Sequence, residues 1–164
     1  MALIRDDATA TYRTRRATSA SEADILAAAE SILRKRVERL GALASPAEAR
    51  SFLRMRLGHL TAEQFHVVWL DNRHQILAVD HMFSGTLDGA SVHPREVVRA
   101  ALTHNAAACI VAHNHPSGNP EPSQADRDIT GELKRTLALI DVRVIDHLVV
   151  ASDSVVSLAE RGLL

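Results

Sequence analysis

Residues 106–112, Ala-Ala-Ala-Cys-Ile-Val-Ala, form an uninterrupted apolar run. A short run without alternation is a strand covered on both faces, because a half-exposed strand would place every second side chain in water. Such a strand needs sheet neighbours on both sides and a layer above and below, which points to a layered α/β domain. With 164 residues there is room for one domain and an appendage, and for a core that needs no staples. The single cysteine, Cys109, excludes a disulfide framework within the chain and a cysteine-based zinc ribbon. Inside the apolar run it reads as a small buried hydrophobe. No stretch of about 18 apolar residues is present, so no membrane span is expected. The opening MALIRDDATATYRTRR lacks an apolar signal core, which makes a cytoplasmic location the expectation.

The flanking pattern is consistent with that domain. Residues 1–20 are polar and aperiodic and read as a flexible arm. From Ser21, an N-cap followed by Asp24, the residues Ile25, Ala28, Ala29, Ile32, Leu33 and Leu40 share one helical face, and Gly41 ends it; a helix is expected over 21–44. Ser45, Pro46 and Glu48 open a second helix that Gly58 stops. Phe65–Leu70 and Gln75–Phe83 are strands joined by Asp71-Asn-Arg-His, a hairpin. Gly85 and Gly89 mark a loop or a further short strand, and a helix opens at Pro94. After the apolar strand come the loop 116–122, a helix from Ser123 to about Ile140, a strand over 142–150 and a last short one over 155–158. The charge is uneven: residues 1–60 carry 11 basic and 7 acidic side chains, net +4, and residues 61–164 carry 8 and 13, net −5. A total of −1 is not the balance of a dedicated nucleic-acid binder.

The chemistry concentrates where the apolar strand ends, in His113-Asn-His115-Pro-Ser-Gly-Asn-Pro-Glu-Pro-Ser123-Gln-Ala-Asp126. Residues two apart on a strand face the same way, with backbones about 7 Å apart, so His113 and His115 can share one ion. Asp126 lies in the first turn of the following helix. Two histidines and one carboxylate, with a fourth position left to water, are the donor set of a catalytic zinc site. Ser123 and Asp126 also read as an N-cap and its N3 acid, a structural pair. The two readings of Ser123 are compatible, since a hydroxyl fixed at a helix start can donate to a developing oxyanion.

His-x-His-Pro, then Ser-x-x-Asp with seven residues between the second His and the Ser, resembles the JAMM motif of the JAB/MPN+ metallohydrolases. The stretches AHNHPSGNPEPSQAD, VHPREVVRAALTHNAA, FSGTLDGA, IDHLVV and SVVSLAERGLL are similar to the RadC branch of that family, over about residues 24–164. The resemblance implies a cytidine-deaminase-like α/β sandwich, a mixed curved sheet flanked by helices, over 45–164 with an N-terminal helical extension. It implies that His113, His115 and Asp126 hold one zinc ion and that Ser123 supports the tetrahedral intermediate. It also implies a glutamate general base near the first core strand, a place that Glu63 occupies. Glu96, the competing acid, sits in the first turn of a helix, where the helix dipole alone explains it.

Three functions follow as expectations. One is a zinc-dependent hydrolase of peptide or isopeptide bonds, whose substrate is a peptide or protein, such as a ubiquitin-like tail. Another is a nucleic-acid-associated or DNA-repair factor, supported by the +4 N-terminal segment, although the helix-hairpin-helix module of longer RadC-like proteins is not found here. The third is a metal-stabilised interaction module. Homodimerisation through the amphipathic helix over 21–44 is a further expectation. His147, beside Asp146 in an apolar strand, is either structural or a support for a ligand histidine.

Overall fold

The computed structural model describes residues 45–85 and 92–164 in full, and the backbone of residues 3–6 and 11–14. The chain divides into two units, residues 1–40 and 41–164. In the first, β1 (Leu3–Asp6) and β2 (Thr11–Thr14) pair antiparallel. The arm expected over 1–20 therefore contains a strand pair that its aperiodic composition does not announce. The helix expected over 21–44, and the loop at 86–91, lie outside the described residues.

The second unit consists of α1 (Pro46–Leu57), β3 (Gln64–Leu70), β4 (Ile76–Ser84), α2 (Pro94–Thr103), β5 (Ala108–Asn114), α3 (Gln124–Ala138), β6 (Arg143–Val150) and β7 (Val155–Ser157). Its sheet runs β4-β3-β5-β6-β7, with β5 in the middle, antiparallel to β3 and parallel to β6. This is the mixed sheet flanked by helices that the apolar run demands. Every residue of β5 is buried. Its ladder runs two residues past the apolar run, through His113 and Asn114, which pair with Val149 and Val150. Polar residues were thus recruited into the strand by backbone pairing, which hydrophobic pattern does not report.

The two faces follow from strand parity. Phe65, Val67 and Trp69 of β3 and Cys109 and Val111 of β5 share a core with Val97 and Ala101 of α2 and Leu133 and Leu137 of α3. The opposite parity, Val68, Leu70, Ile110 and Ala112, is buried as well, and α1 packs on β5 and β6. Ser45 caps α1 by accepting from Glu48 N–H. Gly58 ends it at a close approach: a Cβ there would lie 2.8 Å from the Arg54 carbonyl oxygen. Burial pushes the Cys109 thiol up to about 12, in keeping with an inert core residue.

His66, of the second parity, is buried, stacks on its cross-strand neighbour His81 with ring centroids 4.9 Å apart, and bonds Gln64 Oε1. Burial, helped by His81 and Arg56, lowers it to about 4. Its unfolded value is about 6.5, so between those pH values the unfolded chain takes up the proton and the folded chain does not. Folding stability therefore falls as pH drops from 6.5 toward 4. Urea titrations of metal-free protein should show wild type losing roughly 1–2 kcal/mol more than His66→Gln between pH 7 and pH 5; equal losses would refute this assignment.

Candidate metal centre

Register brings the site together. His113 has the same parity as Cys109 and Val111, so it faces α3. Phe65 lies opposite His113 in the antiparallel ladder, and their rings stack. Two positions before Phe65 comes Glu63, which the register carries toward His115. One donor atom from each of Glu63, His113 and His115 lies within 4.8 Å of the others. Asp126 arrives from α3. Its Oδ1 is 3.1 Å from His113 Nε2, and its Oδ2 is 3.8 Å from His115 Nε2. The two Nε2 atoms are 2.9 Å apart.

The surroundings fix which atoms face the centre. His115 Nδ1 lies 2.7 Å from the Asn119 carbonyl oxygen. A carbonyl only accepts, so Nδ1 donates and Nε2 turns a lone pair inward. Ser123 is the N-cap of α3, in a complete capping box. Its Oγ accepts from Asp126 N–H, while its own N–H and hydroxyl donate to Asp126 Oδ2 at 2.6 and 2.7 Å. Oδ2 is thereby occupied. Oδ1 is fully buried and has no hydrogen-bond partner. A buried carboxylate oxygen without a partner is costly. Burial disfavours the charged form of the Asp126 carboxyl, and the two Ser123 donors on Oδ2 favour it. An anionic oxygen lacking a donor, beside imidazole nitrogens, is a donor set that fits a divalent cation.

Sequence reasoning assigned no role to two residues at this centre. Asn114, of opposite parity to its histidine neighbours, turns to the segment that leads into β3. Its Nδ2 donates to the carbonyl oxygens of Leu60 and Ala62, at 3.3 and 3.0 Å, and its Oδ1 accepts from Gln64 N–H at 2.9 Å. It thus fixes the backbone on both sides of Glu63. Thr130, one turn after Asp126, meets His147; the spacing of four from Asp126 is the only signal that marks it in the sequence. His147 is fully buried and touches His113 directly, Nε2 to Nδ1 at 2.8 Å. Burial, with His113 beside it, lowers its pKa, so it is neutral near pH 7. Asp146 is not its orienting partner on the ring: that carboxylate accepts from the backbone N–H groups of His147 and Ala159 and from Ser157 Oγ, tying β6 to the chain after β7. Glu96 binds Arg95 and Arg99 on α2, at 3.2 and 2.5 Å. It lines a separate cavity of about 450 Å³ with Asp80, His81 and His104.

The fold and this centre define a layered α/β domain of the JAMM metal-binding type. Residues 43–163 match the RadC-like JAB domain, and the chain belongs to that family. It is 60% identical over 123 residues to a UPF0758 protein of Thioalkalivibrio sulfidiphilus, covering 75% of this chain and 55% of that one. It is 54% identical over 128 residues to a UPF0758 protein of Xanthomonas oryzae pv. oryzae, covering 78% and 57%. A UPF0758 protein of Marinobacter nauticus is 57% identical over 122 residues, covering 74% and 54%. The matched stretch spans about half the length of these curated relatives. Among the described residues, no helix is long and apolar enough to cross a membrane.

Proposed function

We propose that this chain is a zinc-dependent hydrolase of peptide or isopeptide bonds. The observation that carries the reading is the fully buried, unpartnered Asp126 Oδ1 beside the facing Nε2 atoms of His113 and His115. These three residues would hold the ion, which when bound supplies Lewis acidity and lowers the pKa of water at the site toward about 7. Glu63 is the general base: it takes a proton from the attacking water and returns it to the leaving nitrogen. Asn114 holds the backbone around Glu63, so the carboxylate is set before substrate arrives. Ser123 keeps Asp126 Oδ2 occupied and donates toward the developing oxyanion when its hydroxyl turns from that oxygen.

A cleft of about 240 Å³ adjoins the centre, with His115 in its wall beside Leu60, Thr61, Pro116 and Val150. Mixed apolar and polar walls of this kind suit an extended polypeptide segment, a ubiquitin-like tail among them. The test is a peptide-library digest with zinc-loaded protein, read by mass spectrometry against a chelator-treated control. New termini in the loaded sample alone are the expected result. Identical digests would remove the peptidase reading, and metal uptake without cleavage would favour an interaction module.

A further inference from the structure

A fully buried histidine must spend both ring nitrogens on partners, and His147 spends both in line with the proposed metal centre. Thr130 Oγ donates to the Asp126 carbonyl oxygen, the residue one helical turn back. A carbonyl can only accept, so the single hydroxyl proton is committed there. Thr130 Oγ also lies 2.5 Å from His147 Nδ1. With its proton already placed, the hydroxyl oxygen accepts at this contact, and His147 Nδ1 carries the hydrogen. His147 Nε2 is then a lone pair, and it accepts from His113 Nδ1–H across 2.8 Å. That leaves the lone pair of His113 on Nε2, the atom facing His115 and Asp126. The three side chains are almost wholly buried, so no water can substitute at any step.

We propose that Thr130 and His147 form a hydrogen-bond relay that fixes the tautomer of His113, starting from the backbone of Asp126, itself a member of the same centre. Both are positioning residues. The relay is a closed loop: Asp126 contributes a side-chain oxygen to the centre and, through its carbonyl, sets the proton order that presents His113. Its consequence for metal uptake rests on the metal-centre reading above; the proton order itself does not.

The measurement is made on the full chain labelled with ¹⁵N at histidine, at pH 8, with and without zinc. Ring ¹⁵N shifts should show His147 protonated on Nδ1 in both states. Protonation of His147 on Nε2 would overturn the relay whatever the metal does. Competition with a chromophoric chelator should show Thr130→Val weakening zinc affinity about 10–100-fold, as loss of a ligand-orienting partner does. Thr130→Ser, which restores the hydroxyl, should recover affinity to within a factor of about three. Thermal melts of metal-free Thr130→Val check that the variant folds. Unchanged zinc affinity in folded Thr130→Val would overturn the proposal. If wild type takes up no zinc but His147 carries its proton on Nδ1, the metal-centre reading fails and the relay stands.

Discussion

Purified His113→Ala protein is expected to hold no stoichiometric zinc, where wild type holds about one ion per chain after reconstitution and dialysis. The expectation follows from the position of His113 at the junction of every part of the centre. Its Nε2 is 2.9 Å from His115 Nε2 and 3.1 Å from Asp126 Oδ1, and its Nδ1 is bonded to His147. Removing the ring deletes one donor and leaves a cavity in the wall that orients the others. A ligand that binds only the folded chain stabilises it by mass action, about 4 kcal/mol when free metal is a thousandfold above Kd. Wild type should therefore melt higher with zinc than with chelator, and His113→Ala should melt at one temperature in both. Asp126→Asn keeps an oxygen for Ser123 but removes the charge, and should lie between them. Mass-spectrometric metal content decides the matter: one zinc per chain in His113→Ala would mean that this residue is not a ligand. The same assay with manganese and iron identifies which ion the two imidazoles and one carboxylate prefer.

Much of this architecture was legible because hydrophobic runs and caps are local signals. The apolar run at 106–112 required a covered central strand, and β5 is fully buried. Ser45 and Ser123 cap α1 and α3 as their spacing to Glu48 and Asp126 predicts. The neighbourhood of His113, His115 and Asp126 was legible for a similar reason, since two strand positions and one helical first turn lie within fourteen residues of each other. Glu63 depends on a longer-range fact, the antiparallel register that sets Phe65 against His113. Sequence spacing alone does not encode register, and only the resemblance supplied it. Asn114 and Thr130 escaped because backbone groups, carbonyls above all, hold them in place. The Leu60, Ala62 and Asp126 carbonyls exist at every position of every sequence and leave no compositional trace. The pairing of His147 with His113 escaped for a different reason. Asp146 is adjacent in sequence, but side chains of consecutive strand residues point to opposite faces, so it was never placed to orient the ring.

Glu63→Gln is expected to keep its zinc and to lose on the order of 10²–10⁴ in turnover of whichever peptide the digest identifies. The amide preserves the size of the side chain and the backbone bonds that Asn114 makes around it, but it cannot accept a proton from water at neutral pH. The comparison is informative because Glu63 lies close enough to both histidines for one donor atom of each to fall within 4.8 Å. At that distance the carboxylate can serve as a base or as a ligand, and the two roles respond differently to the same substitution. A base leaves metal affinity nearly unchanged and lowers kcat; a ligand loses the ion and the activity together. Two features favour the base. Asp126 Oδ1 already offers a buried anionic donor with no other partner. Glu63, by contrast, is only partly buried, two residues along the chain from Thr61 in the cleft wall. Parallel measurement of zinc affinity and turnover on Glu63→Gln separates the roles. Loss of the ion would transfer Glu63 to the ligand set and leave the proton transfer without an assigned base, whereas full turnover with zinc retained would remove Glu63 from the mechanism.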